Sequence, residues 1–361
     1  MDKLIFGRFE CACMMINLIC AKLLFTAPRL FLYNSLTAVF AVLLCDFAAA
    51  GLIVFLFFRL MPDEELDIID LAEKHLGRAG GAVAALSGAA LLFTVLTTQP
   101  RIYAGFISDE SGGLLSAALI GAALWTAAAA AAYMGVETVS RLHALFVPVC
   151  AAASAVLFSA AAPNGSVYHL FPVFGRGAEA VARDAFSGLS CFAEWFVVLM
   201  LFPHIRKKRL LRSSARAAFI ISAILTALIS VLYCAAVSAA ARRGIASPAL
   251  FLVQTARIFG RASRLDIYLI IIRSIAALLY TSCALFFFAR CTGKLARLPD
   301  CRPITLPSAV FFFASGLLSG ENAFIGRMYM YSPVLCWAAG FLLPLMLLFI
   351  IHFKAKRGER T

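Results

Sequence analysis

Charge is the scarcest property of this chain: Asp, Glu, Lys and Arg make up 14% of its residues, against 63% hydrophobic ones. Average proteins carry about 25% charged residues, so a water-facing globular surface is excluded. Acids are scarcer still, 19 against 32 Lys and Arg. The sequence also lacks any cluster of His, Cys, Asp or Glu at metal-ligand spacing, a nucleophile elbow and a phosphate loop. Neither enzymatic chemistry nor a cofactor is expected. Cys11-Ala12-Cys13 is too closely spaced for a standard zinc pair, and most of the eleven cysteines lie in apolar runs, where thiols behave as small hydrophobes. The five histidines fall near span ends or in loops, and His204 reads as part of a lipid-facing edge. The first residues, MDKLIFGRFE, carry no small-residue cleavage site and run directly into an apolar stretch, so a cleavable signal is not expected.

Long apolar runs are what the chain has in abundance. A spanning helix needs about 20 apolar residues, and about ten such runs are present, near 9–28, 34–58, 81–104, 112–135, 142–162, 186–205, 214–241, 266–289, 304–320 and 332–353. Short loops leave no room for a soluble domain. The expected fold is an all-α polytopic membrane protein of ten transmembrane helices in one domain. Alanine tracts such as Ala127–Ala132 allow close helix approach in lipid. The net charge of +13 does not mean nucleic acid. Its densest cluster, Arg206-Lys207-Lys208-Arg209 with Arg212 and Arg216, lies between spans six and seven. Basic loops stay cytoplasmic, which places both termini inside with the basic tail Lys354, Lys356, Arg357 and Arg360. Counted by side, 20 Lys and Arg fall inside, 10 outside and two, Lys22 and Arg273, within spans. The discordant loop follows span seven and carries Arg242, Arg243, Arg257, Arg261 and Arg264 outside. Either that loop has a specific partner or the count is off by one span.

Four charges lie where lipid rejects them: Lys22 in span one, Asp46 in span two, Glu194 in span six and Arg273 in span eight. Each costs about 2.5–3.5 kcal/mol at mid-membrane on insertion scales, so such groups pair, face a cavity, or both. Lys22 has a competing reading as a side chain that snorkels to the interface. Asp46 reads as a structural partner of Lys22 or Arg273, and Arg273, which keeps its proton, needs an acceptor. Spans one and six, 9–28 and 186–203, each carry one such charge and end in proline. Matching interrupted spans in two halves mark an inverted-repeat transporter with its site between them; the repeats fall at about 9–162 and 186–353, with helices one and six broken. Outside the spans, Leu66, Ile69 and Leu71 set among charges make 61–80 a short amphipathic segment. Gly175-Arg176-Gly177 reads as a turn, not a phosphate site.

The stretch Phe171-Pro172-Val173-Phe174-Gly175-Arg176-Gly177-Ala178-Glu179-Ala180-Val181, followed by Phe186 through Pro203 and a basic cluster, resembles the B subunit of spore germinant receptors. These are ten-span relatives of the amino acid/polyamine/organocation transporters. Thr26-Ala27-Pro28-Arg29, Ile69 through Gly77, and Arg264-Leu265-Asp266 are similar to further elements of that pattern, in the same order. Phe192-Ala193-Glu194 matches the family's Gly-Phe-Glu-like break, keeping the acid and losing the glycine. Ala21-Lys22-Leu23 takes the place of the small-x-small break in span one, with neither glycine.

The resemblance implies a subunit that senses a small nutrient, such as an amino acid, between spans one, three, six and eight, and triggers spore germination. The implied ligand residues are Ala21, Lys22, Leu23, Thr97, Thr98, Cys191, Phe192, Ala193, Glu194 and Arg273. Lys22 either binds a carboxylate directly or stands where a coupling cation would sit. A second membrane subunit, a lipoprotein and membrane lipid are the implied partners, and the spore inner membrane the implied location. Two other readings stay open: a proton-coupled amino acid or polyamine transporter with Lys22 or Asp46 as the proton carrier, and a scaffold whose site the Lys22–Glu194 pair closes permanently.

Overall fold

Backbone in lipid must satisfy its own hydrogen bonds, and this chain does so almost wholly as helix. The computed structural model describes residues 7–31, 34–62, 64–161, 165–205, 208–245, 247–258, 261–262, 265–318 and 331–358. Arg206, Lys207, Arg264 and Arg360 lie outside the described residues, as do the side chains of Leu23, Thr26 through Arg29, Arg243, Arg257, Arg261, Lys356 and Arg357.

The first half runs α1 (Arg8–Phe31), α2 (Val39–Leu60), α3 (Ile68–Glu110), α4 (Ala117–Tyr133) and α5 (Val136–Ala161). After a loop come α6 (Ala178–Leu189), a 3-10 stretch (Ser190–Trp195) and α7 (Phe196–Met200). The rest comprises α8 (Lys208–Ala236), α9 (Pro248–Thr255), α10 (Asp266–Leu295), α11 (Arg302–Leu318) and α12 (Tyr331–Lys354). Arg257–Ile258 and Arg261–Ala262 form a two-stranded antiparallel pair before α10. Six helices, α2, α3, α5, α8, α10 and α12, are long and apolar enough to cross a membrane. The protein is an integral membrane protein. α3 and α10 are the most enclosed of these and pack on each other, while α1 lies against α5, α8 and α10.

Three local features depart from the expected spans. First, α1 runs helically through Ala21-Lys22-Leu23 without interruption. With no glycine there, nothing offsets the cost of leaving helical geometry in lipid, so the expected break in span one is absent. Second, α8 begins at Lys208, well before the apolar run, because Lys and Arg are good helix formers. Lys208, Arg209, Arg212 and Arg216 of the basic cluster thus lie in the first turns of a spanning helix. Third, the amphipathic segment forms one end of α3. It is capped by Asp67, whose carboxylate accepts from the backbone N–H groups of Ile69 and Asp70 at 3.1 Å, and it is set off by a kink at Gly77 (φ 75°, ψ −171°).

Both ends of the bundle are tied by buried polar clusters. At the basic end, Asp67 accepts from Arg290 at 2.8 Å and Lys294 at 2.6 Å, and Lys294 also meets Asp70 at 2.6 Å. Burial pushes the Asp67 carboxyl up, but the two cations outweigh it and hold the group below its ordinary range. His204 accepts from Arg290 at 2.7 Å and is only partly exposed, so it belongs to this clasp and not to a lipid-facing edge. At the opposite end, Asp184 on α6 accepts from the Asn34 and Ser35 backbone N–H groups and the Asn34 amide, at 2.7–3.1 Å. The expected turn at 171–177 packs here: a Cβ on Gly175 (φ 54°) would stand 2.0 Å from the Ser35 carbonyl oxygen, so only glycine fits. Arg242, one of the discordant outer arginines, is buried and donates to the carbonyls of Val237, His169, Cys234 and Leu36. Its partner is the protein's own backbone.

Candidate functional site

Span six is where the helix gives way. Ser190–Trp195 winds as 3-10, and all six residues are buried. A 3-10 turn is tighter than an α-turn and rarely persists for long, so it re-aims the side chains that follow α6. Against it packs a π-helical turn of α12, Ala338–Leu342. A Cβ on Gly340 would lie 2.9 Å from the Ala193 carbonyl oxygen and 2.8 Å from its Cβ, so the two irregular turns meet backbone to backbone. Ser87 on α3 donates to the Ala339 carbonyl at 2.6 Å, satisfying an acceptor in the π-turn.

Glu194 leaves this break toward α1. Its Oε1 lies 2.6 Å from Lys22 Nζ, with side chains 0% and 6% exposed. The Tyr280 hydroxyl of α10 donates to the same oxygen at 2.8 Å. Lys22 does not snorkel: two spans far apart in sequence bring opposite charges together inside the bundle. Glu194 Oε2 is buried with no hydrogen-bond partner. Nearby, Phe47 on α2 packs edge-on against Phe192 with ring centroids 5.7 Å apart. That contact brings Asp46 beside the break, 1% exposed and with neither carboxylate oxygen partnered. Cys191 stands within electrostatic reach of Lys22, Glu194 and Asp46. One buried ion pair thus has a second acid close to its break, and the two acids together keep three unfilled acceptor oxygens.

The structure brings together Ala21, Lys22, Cys191, Phe192, Ala193 and Glu194, all buried. The side chain of Leu23 lies outside the described residues, and Arg273, Thr97 and Thr98 hydrogen-bond elsewhere than on the pair. Arg273 donates to Glu110 Oε1 at 2.9 Å and to Ser247 Oγ at 3.2 Å, and stands over the Phe106 ring at 5.5 Å. It lies two helical turns from Tyr280, about 10 Å along the axis, and it is not the partner of Asp46, whose oxygens carry no hydrogen bond. Among the described residues no cation pairs with Asp46, so the expected pairing with Lys22 or Arg273 is absent. The Thr97 and Thr98 hydroxyls return to their own helix, on the carbonyls of Phe93 and Thr94. Thr97 lines a separate cleft between α3, α4 and α11 with Arg101 and Trp125.

Several partners were invisible in sequence. Tyr280 sits in an unremarkable apolar stretch, and Glu110 falls at a span end, where acids are ordinary. His143, near a span end in the sequence, is fully buried: Nδ1 donates to Val139 O at 2.6 Å and Nε2 accepts from Asn17 at 3.4 Å. Asn17 also donates to the Ala276 carbonyl at 3.2 Å, linking α1 to α10.

Comparisons with known proteins agree with this architecture. The structure is similar to the crystal structure of MhsT in complex with L-phenylalanine, with a TM-score of 0.71 and 16% identity over 95% of this chain and 89% of that one. At that identity the likeness shows the shared transporter fold. No curated protein matches the chain. Residues 8–323 match the family described as spore germination protein, and the chain belongs to that family.

Proposed function

We propose that this protein is the membrane subunit of a spore nutrient germinant receptor, in which a transporter-like fold senses an amino acid. The observation that carries this reading is the buried Lys22–Glu194 pair with unfilled carboxylate oxygens around it. A zwitterion carries the same two charges. Its carboxylate would replace Glu194 on the Lys22 ammonium, and its ammonium, with three N–H donors, would take acceptors that Glu194 and Asp46 leave open. Exchange of an internal pair for a ligand pair conserves charge, so the equilibrium between two bundle arrangements turns on the ligand's differential affinity for them.

The remaining assignments follow from this reading. The protein sits in the spore inner membrane with the basic end and both termini cytoplasmic, and acts with a second membrane subunit and a lipoprotein. Nutrient-triggered germination is the test. Strains carrying Lys22→Met or Glu194→Gln at normal protein levels should need far more nutrient; an unchanged dose response in both removes the mechanism.

A second reading, proton-coupled amino acid or polyamine transport, draws on the likeness to MhsT and on the unpaired Asp46 carboxyl. Purified protein in liposomes separates the two. Uptake that follows a proton gradient favours transport, and binding without flux favours sensing. Absence of any binding points to a scaffold with a closed site.

A further inference from the structure

The basic end carries a second feature, distinct from the ion pair. A groove of about 790 Å³ runs between α2 and α8. Its rim is cationic: Arg59 in the last turn of α2, and Lys208, Arg209, Arg212 and Arg216 in the first turns of α8. Among the described residues no Asp or Glu lines it. Its apolar walls include Val54, Phe55, Phe219 and Ile220, and Phe55 and Ile220 are more than half exposed on helices apolar enough to cross a membrane. Gly51 belongs to the wall too, and a Cβ there would already touch the Phe219 ring at 3.4 Å.

A basic loop ordinarily spreads its charges into water, away from apolar surface. Here two of the five cations are fixed onto the groove instead. Arg212 donates to the Phe58 carbonyl at 3.1 Å and stands 5.9 Å from the Phe58 ring centroid, and Lys208 donates to the Met61 carbonyl. Arg212 Nε is buried with no hydrogen-bond partner, an arrangement that costs free energy until an acceptor arrives. Arg59, Arg209 and Arg216 are exposed, and among the described residues none of them meets an acid. The start of α8 adds the positive end of a helix dipole.

We propose that this groove is a binding site for an anionic phospholipid. The phosphodiester sits among Arg59, Arg212 and Arg216, with Arg212 Nε as a donor, and the acyl chains lie on Phe55, Phe219 and Ile220. A soluble phosphate ester shares the headgroup chemistry but gives the apolar walls nothing to cover. The cations of the site lie at the basic end, in the last turn of α2 and the first turns of α8.

The test uses the full chain purified in detergent, with bound lipid counted by native mass spectrometry after addition of dioleoylphosphatidylglycerol or dioleoylphosphatidylcholine. The phosphatidylglycerol should be retained selectively and lost as salt rises. The double variant Arg59→Gln/Arg216→Gln, altering two exposed side chains, should weaken that retention on the order of 30-fold, taking each cation near an anionic headgroup at its typical worth. Arg183→Gln, an exposed cation on α6 at the opposite end, should leave retention unchanged. Equal retention of the two lipids, or undiminished retention by the double variant, overturns the proposal. Competition by glycerol 3-phosphate as effective as that by the lipid overturns it as well, because it would assign the site to a soluble anion.

Discussion

Neutralising one member of the Lys22–Glu194 pair should destabilise the protein more than neutralising both. At 2.6 Å and an effective dielectric of 20, two unit charges attract by about 6 kcal/mol. Desolvation of both groups opposes most of that, since neither side chain is more than 6% exposed. Lys22→Met therefore leaves a buried carboxylate whose Oε1 keeps only the Tyr280 hydroxyl, and Glu194→Gln leaves a buried ammonium without its carboxylate. Each single change should cost about 3–5 kcal/mol. In Lys22→Met/Glu194→Gln no charge is stranded, and the double variant should melt above both singles. The chain supplies its own reporter: nine of its eleven free cysteines are buried, all but Cys45 and Cys301. A thiol-reactive fluorophore followed through a thermal ramp in detergent reads loss of packing. Losses that simply add in the double variant would refute the argument, because additivity means the two groups do not interact.

Gly340→Ala puts a methyl 2.8 Å from the Ala193 Cβ and should cost about 1–3 kcal/mol by overpacking, whereas Gly105→Ala, with nothing within 4 Å, should be neutral or better in the same thermal assay. Asp184→Ala removes four hydrogen bonds from Asn34 and Ser35, so hydrogen exchange at those two amides should accelerate while exchange in mid-α10 stays slow. The Asp67 clasp should persist under acid. Its carboxyl is held below the ordinary range, so the stability it contributes is complete above about pH 4 and is lost only as pH falls through its lower folded value. Thiol exposure at fixed temperature should show no step from this group between pH 7 and pH 5.

Lipid made the central part of the site legible. Charges are so costly at depth that Lys22, Asp46, Glu194 and Arg273 stood out in the sequence, and the structure pairs two of them. The turn at 171–177 and the amphipathic stretch near Leu66–Leu71 were equally plain, because glycine and charge punctuate a chain this apolar. Partners drawn from span ends were not legible. Glu110, Asp67 and Asp184 sit where acids are unexceptional, and only the tertiary arrangement carries them inward to Arg273, to Arg290 and Lys294, and to the Asn34 turn. The continuity of α1 follows from residues already in view: a lysine flanked by Ala21 and Leu23 offers no glycine for unwinding, while the break in span six persists without glycine because the Gly340 turn on α12 packs against it.

The two closed ends differ in kind. At the basic end a doubly charged clasp joins α3 to α10, and opening it separates a buried carboxylate from two cations. At the other end Arg242 holds neutral carbonyls, and Asp184 holds backbone and amide N–H groups. Water can replace those bonds nearly one for one, whereas an ion pair taken apart must be solvated on both sides. Arg273–Glu110 is the buried ion pair described at that end, beside the exposed Arg183–Glu179 pair within α6, and it joins α10 to the end of α3 without involving the loops that Arg242 and Asp184 secure. Under the proposed sensing function, a solute bound for Lys22 would meet the smaller electrostatic barrier by loosening the turns at 34–37 and 171–177. This is the side opposite the basic cluster, and the loosened turns lie directly after α1 and before the interrupted span whose charges would receive it.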